Sequence, residues 1–427
     1  MVHTGKADSK TIMVPDDYPT IAEAVDNAAD GDLVFVKSGV YHESMLVVNK
    51  SISLIGEEAN NTIVYFNPPV LNVTVFSVPF QMTDNSIKVN ADNVTLTNFT
   101  FYCPDAISSI AGLGGIASFT GNKIELVNNS FSTGLNLAVS CSTIADNIIQ
   151  GGKFTLIGSN NTLRENTIIA SQSPSVSVEG SYNIIVGNNA TGSTSFYVEG
   201  YSNIVFKNTL NFVDGLDLDG TECIIAKNNL TSLIVLGSNN TVYGNKVTQG
   251  LTIWCSNSVF YANNFSLVYP IVWRNSVNNQ FYHNNFDCDI TFREDQDLVS
   301  YYWDNGKEGN YWQSYIGPDY NGDGIGDVPF HVNNNITDRY PLMTPFNVST
   351  VTTELPDWAS NILSQMDSSV LPSQKTSTTS PFGIVDEEPP FSITALAASI
   401  IIVAMIGVVC ISVVKFGKIR HLLAPNS

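Results

Sequence analysis

One six-residue pattern, apolar-x-x-Asn-x-apolar, returns along the middle of the chain as LVNNSF (126–131), IADNII (144–149), LRENTI (163–168), IVGNNA (185–190), VFKNTL (205–210), IAKNNL (225–230), VYGNKV (242–247), FYANNF (260–265) and FYHNNF (281–286). Its asparagines, Asn129, Asn147, Asn166, Asn188, Asn208, Asn228, Asn245, Asn263 and Asn284, stand 17 to 22 residues apart. Self-similarity at that period means a stacked array, in which each unit buries its apolar side only against its neighbours. A leucine-rich repeat has the same period but needs a leucine ladder and usually a helical return. Here the ladder is Ile, Val and Phe, the connections are Gly, Ser, Asn and Thr, and stretches such as Val176-Ser177-Val178-Glu179 alternate with period two. Period two is the mark of strands, so each unit is expected to be one turn of a parallel β-helix. Nine registers at the ~4.8 Å strand spacing span roughly 40 Å. Asparagine suits the corners, because it tolerates left-handed backbone and its amide can bond along the stack.

An open solenoid end invites edge pairing unless something covers it. At the start of the chain, YPTIAEAVDNAADGD (18–32) reads as a short amphipathic helix, with Thr20 and Glu23 in capping-box spacing and Gly31 beyond its end. At the other end stands GNYWQSYIGPDYNGDGIGDVPFHVNNNITDRYPLMTPF (309–346). Together with the VPDDYPTIAEAV start and the asparagine coils, it resembles the NosD-type β-helix family, the carbohydrate-binding and sugar-hydrolase repeats of the pectin-lyase-like superfamily. The resemblance covers roughly residues 11–346 and implies an all-β, right-handed parallel β-helix with a helix plugging the first coil. It also implies glycan partners. Name-giving members are linked to copper handling, but the five histidines, His3, His42, His283, His331 and His421, are scattered and form no soft-ligand cluster.

The expected organisation is a tail (1–10), the β-helix (11–346, with its N-terminal cap and first coils at 11–66 and its C-terminal cap at 300–346), a Ser/Thr/Pro-rich stalk (347–391), a transmembrane helix (392–414) and a tail (415–427). The stalk contains one weak helical stretch, DWASNILSQM (357–366). The uncharged run from Ile393 to Val414 is ~33 Å long as a helix, enough for a bilayer. DEEPP before it and KFGKIRH after it place the short tail in the cytoplasm and the rest outside. That orientation calls for an export signal, and MVHTGKADSKTIMV has no apolar h-region to serve as one, so either a missing start or an unusual export route is expected. Sequons such as Asn72, Asn93, Asn98, Asn229, Asn264 and Asn347 fit a glycosylated exterior, although Asn- and Thr-rich corners generate such tripeptides by chance. Cys103, Cys141, Cys223, Cys255 and Cys288 fall outside the membrane segment, an odd number with no metal-like spacing. A net charge of -20 repels phosphate backbones, so nucleic acid is not an expected partner.

Two places carry candidate chemistry. In DYNGDGIGD, Asp319, Asn321, Asp323 and Asp327 stand at positions 1, 3, 5 and 9 of a calcium-type loop, with the Ile325 carbonyl at position 7 and Phe330 where a bidentate carboxylate belongs. The alternative for that loop is a plain Asx-and-glycine turn. Registering the coils on Gly158, Gly180, Gly200, Gly220 and Gly237 puts Ile157, Glu179, Glu199, Asp219 and Leu236 in one outward column, with Trp254 next. A parallel column reads Thr155, Ser177, Tyr197, Asp217, Ile234 and Thr252. Glu179, Tyr197, Glu199, Asp217, Asp219 and Trp254 are therefore the candidate carbohydrate contacts: carboxylates for sugar hydroxyls, rings for sugar faces. Asp217 and Asp219, in VDGLDLDG, are the candidate pair for an inverting hydrolase. The Gly-His-Gly and Arg-x-Lys that accompany such a pair in polygalacturonases are absent, as is an obvious pectate-lyase arrangement of calcium-binding aspartates with an arginine. Binding module, glycoside hydrolase or lyase, and spacer or adhesin of a surface coat stand as the three functions to separate.

Overall fold

The structure is a computed structural model and describes residues 9–66, 70–75, 78–83, 86–102, 117–132, 134–170, 175–267, 271–273, 276–287, 292–293, 301–333, 336–352 and 354–368. The segment 392–414, residues 1–8 and 415–427 of the tails, the stalk beyond 368, Cys103 and Cys288 lie outside these residues, and so does the side chain of Asn72. Among the described residues no helix is long and apolar enough to cross a membrane.

The chain winds as a parallel β-solenoid with three faces. The first face is a 14-stranded sheet that begins at Thr11–Val14 and ends at Tyr301–Tyr302. The second and third faces form two tracks of one 23-stranded sheet. One track runs through Thr62–Phe66, Thr100–Tyr102 and Ser130–Phe131, the other through Ile87–Asn90, Ala117–Asn122 and Leu135–Ser140. The tracks join where single strands, Asn229–Ser238 and Lys246–Ser256, run across both. Among the described residues, the antiparallel ladders are two small hairpins, Val70–Val75 with Val78–Thr83 and Phe330–Asn333 with Ile336–Asp338, besides one isolated antiparallel bridge between Ile325 and Leu342.

Alternation explains the strands: Val178, Val198, Leu218, Val235 and Ile253 point inward in register and are fully buried. Asparagine explains the first corner. Each ladder asparagine accepts, on Oδ1, the backbone N–H of the ladder asparagine one coil earlier, at 2.8–3.1 Å from Asn129 through Asn284. Asn310 adds a tenth member, and the last donors end on the buried carboxylate of Asp338, which accepts from Asn310 N at 2.7 Å and Trp312 Nε1 at 2.8 Å. The left-handed backbone expected at the ladder asparagines instead falls one residue earlier, as at Glu165 (φ 53), Lys207 (φ 55) and Ala262 (φ 54). Burial is the reason, since a side chain held inside the coil needs the turn to come before it.

A second ladder closes the corner between the third and first faces. Ser142, Asn161 and Asn183 each donate their backbone N–H to the next member's side-chain oxygen at 2.9–3.1 Å, ending on Asn203, and Cys223, Asn240, Ser258 and Asn279 continue the row.

At the N-terminal end, helix α1 (Ile21–Asn27) starts at Thr20, whose hydroxyl accepts the Glu23 N–H at 3.2 Å. Ile21, Ala24 and Val25 are buried in the same core as Val14, Val34 and Leu46, and the buried Glu43 accepts the Ile21 N–H at 2.8 Å. At the C-terminal end, Trp303 and Trp312 stack beneath Phe281 and Phe286. Asp304 there receives two hydrogen bonds from Arg339, at 2.8 and 2.6 Å.

The chain after 346 departs from the expected stalk. It turns back along the outside of the first face as a strap ending in helix α2 (Asp357–Ser368). Phe346 stacks on the His283 ring at 4.3 Å, Lys227 Nζ donates to the Val351 carbonyl at 3.0 Å, and Tyr243 donates to the Glu354 carbonyl at 3.2 Å. Ala359 is wholly buried against an outward apolar stripe that includes Ile184, Val186, Ile204, Phe206 and Tyr243. Apolar residues on both sides of these strands are the physical reason, because the outer stripe needs a cover as much as the inner one does.

Candidate functional site

The third face carries the expected columns in register. Ile157 pairs with Glu179, Glu179 with Glu199, Glu199 with Asp219, Asp219 with Leu236 and Leu236 with Trp254. Beside them, Thr155, Ser177, Tyr197, Asp217, Ile234 and Thr252 pair in the same order. The intervening inward residues anchor the strands, so the outward ones are held at fixed spacing on a rigid sheet.

Exposure is uneven along the columns. Trp254 is 41% exposed, and Glu199 and Asp219 are exposed, whereas Tyr197 and Asp217 are half-buried. Thr155 and Ser177, expected to face solvent, are 9% and 1% exposed, so the Thr155-to-Thr252 column is closed at its N-terminal end. The Ser177 hydroxyl turns to Glu179, donating at 2.6 Å, and the Tyr197 hydroxyl donates to Glu199 at 2.9 Å. Burial, reinforced by the Glu199 hydrogen bond, raises the Tyr197 phenol well above its ordinary range. Burial also raises the Asp217 carboxyl, with the neighbouring charges of Asp219 and Asp214 adding to it. Its Oδ1 is shielded from water and makes no hydrogen bond.

A third outward column completes the face: Ser159, Ser181, Tyr201, Thr221, Ser238 and Ser256 follow two residues after the carboxylates. Tyr201 is 39% exposed, meets the Tyr182 ring edge-on at 5.5 Å, and is raised in pKa by hydrogen bonds to Glu222 and Tyr182. The sequence reading stopped at Tyr197 and Glu199, yet one more step of the same alternation reaches Tyr201. Third-face strands from Leu135–Ser140 to Gly215–Thr221 contain no Lys or Arg. Four carboxylates therefore share one face with Tyr197, Tyr201 and Trp254, without a local counter-charge.

The Asp319–Asp327 loop lies far along the chain, after the solenoid strand Tyr311–Trp312. Asp319 accepts the Gly322 and Gly324 N–H groups at 2.7 and 2.9 Å, Asn321 accepts from Asp323 N at 3.0 Å, and Asp323 from Ile325 N at 2.9 Å. Asp327 accepts the Tyr320 N–H. Among the described residues no three His, Cys, Asp or Glu groups are brought together as a metal site. His283 bonds to Glu308 and stacks on Phe346, a structural role in the last coils. Cys141, Cys223 and Cys255 are free thiols.

No protein-family model and no curated protein matches this sequence. Solved structures with a similar course include the catalytic domain of a GH87 alpha-1,3-glucanase in complex with nigerose (11% identity, TM-score 0.41, covering 71% of this chain and 69% of that one). The Dettilon tailspike protein (11%, 0.39, 68% of each) and a PL6 alginate lyase in complex with a trisaccharide (12%, 0.32, 66% and 72%) are two more. The architecture of this protein, read from its own strand pairing, is the parallel β-solenoid that its motifs imply.

Proposed function

We propose that the third face binds polysaccharide, and that the preferred chain is neutral or amine-bearing. The observation that carries this reading is the register itself. Four outward carboxylates and the rings of Tyr197, Tyr201 and Trp254 are fixed on one rigid face, whose strands from Leu135–Ser140 to Gly215–Thr221 offer no Lys or Arg to receive an acidic sugar. Carboxylates accept sugar hydroxyls and ammonium groups, rings supply the flat apolar contact that a pyranose face needs, and uronates meet repulsion. In the fuller reading, α1 plugs the first coil, the segment 392–414 anchors the chain in a membrane, and the solenoid stands on the outer side as a glycoprotein. The test is retention on immobilised neutral, amine-bearing and uronate polysaccharides, with release of reducing ends measured in parallel. Tyr197→Ala and Asp217→Ala are each expected to weaken retention about tenfold without lowering the melting temperature. Wild-type retention in the double variant would remove the face from consideration.

A second reading, hydrolysis, is favoured by one feature, the shielded Oδ1 and raised pKa of Asp217. A protonated Asp217 would act as general acid and Asp219 as its partner. New reducing ends that disappear in Asp217→Asn would establish it, and retention without cleavage would exclude it for the polymers tried. Calcium in the Asp319–Asp327 loop belongs to the same proposal in a structural role. Millimolar calcium is expected to raise the melting temperature and a chelator to reverse the rise, and identical melting in both removes the ion.

A further inference from the structure

The strap reaches the glycan face. Trp358, in the first turn of α2, sets its ring edge-on to Tyr182 at 5.7 Å, and Tyr182 meets Tyr201 edge-on at 5.5 Å. Three rings thus run from the strap round the third-to-first corner to the border of the carboxylate columns. Tyr182 holds φ 58 at the corner turn where Asn160, Ser202 and Glu222 of the other coils are also left-handed, so the coil fixes its backbone and the rings beside it fix its side chain.

The seat of α2 is slight. Of its residues Asp357 to Ser364 only Ala359 is fully buried, and a 12-residue helix is marginal without packing. The solenoid beneath has its own continuous core, in a cluster separate from the one that holds the strap. When the helix leaves, the coils keep that inner core while the outer stripe of Ile184, Val186, Ile204 and Phe206 loses its cover.

We propose that the strap is a latch that regulates the third face. Seated, Trp358 holds Tyr182 and Tyr201 as the rim of the glycan site; unseated, it frees both rings and affinity falls. This rests on the glycan reading above, and the test separates the two. In the full chain, Ala359→Asp places a carboxylate in a dry cluster and unseats α2, Trp358→Ala removes only the ring, and Trp358→Phe keeps an aromatic edge. Three quantities are measured: amide exchange over 354–368, the fluorine resonance of fluorotyrosine at position 201 (assigned with Tyr201→Phe), and affinity for the polysaccharide that the wild type retains. Ala359→Asp and Trp358→Ala are expected to move the Tyr201 resonance and to weaken binding about three- to tenfold, Trp358→Phe to restore both, and the β-sheet circular dichroism at the assay temperature to stay that of the wild type. A Tyr201 resonance unmoved in both variants overturns the latch. So does unchanged affinity when the resonance has moved. If the wild type retains no polysaccharide, the glycan reading fails, and the resonance alone decides whether the strap controls Tyr201.

Discussion

Cys223 occupies a position that its neighbours give to asparagine. In the coils on either side, Asn203 Nδ2 donates to the Gly180 carbonyl at 2.7 Å and Asn240 Nδ2 to the Gly220 carbonyl at 2.8 Å. The thiol reaches the corresponding Gly200 carbonyl only at 3.6 Å. Burial pushes the Cys223 thiol up to about 11, so it stays protonated and inert. Cys223→Asn is expected to stabilise the fold by about 1 kcal/mol, read as a higher melting temperature. In the other ladder, Asn208 accepts from Asn188 N at 2.8 Å and donates to the Ile185 carbonyl at 2.8 Å. Asn208→Ala leaves buried backbone groups without partners and is expected to cost about 2–4 kcal/mol by denaturant unfolding. The first ladder was legible because one residue type recurs at a steady period. The second was not, because Ser142, Cys223 and Ser258 interrupt its asparagines and dilute the pattern.

The strap is the element whose packing the sequence does not announce, although the helix at DWASNILSQM is read from it. DWASNILSQM offers few apolar positions for docking, and the Thr- and Pro-containing run before it looks like linker. A signal existed in the strands it covers: Ile184-Ile185-Val186 and Ile204-Val205-Phe206 are apolar without alternation, which marks strands buried on both faces. In a plain solenoid each coil couples only to its neighbours, so unfolding proceeds by fraying from an end. Contacts from Phe346 at His283 to Trp358 at Tyr182 tie distant coils to one another. The coils between Tyr182 and Asn285 are therefore expected to exchange their amides as one unit. Tyr243→Phe, which frees the Glu354 carbonyl, is expected to break that unit into a gradient, measurable by native-state hydrogen exchange.

At the scale of the molecule, charge decides the pH response. Burial raises the carboxyls of Glu43, Glu165, Asp217 and Asp338, the last to about 6. A carboxyl with a raised pKa holds its proton more tightly folded than unfolded, so stability increases as pH falls through the folded value and levels off below the unfolded one. For Asp338 that window runs from about 6 down to 3.8 and is worth up to about 3 kcal/mol. Asp304 acts oppositely: burial pushes it up, but Arg339 and the Gly306 N–H outweigh that and hold it below its ordinary value. Its contribution is present above the usual carboxylate range and disappears in stronger acid. With a net charge of -20 relaxing over the same interval, the melting temperature is expected to peak at about pH 5 and, at neutral pH, to rise with added salt. A maximum at pH 7 or above would contradict the raised carboxyls.

The amide ladder makes the molecule a ruler. Asn188 takes from Asn208 the same Oδ1 bond that Asn208 takes from Asn228, and the two distances agree at 2.8 Å. No member senses its place in the row, only that a next member exists and that the row closes on Asp338. Removing residues 130–147, a coil outside the strap, would bring Asn129 against Asn166 with the ladder bond remade, and duplicating them would lengthen the rod by one graduation of ~4.8 Å. Outside the coils that the strap spans, length is thus free to drift in whole coils while both ends stay unchanged, and a sheet built on consecutive coils can be widened or narrowed one step at a time.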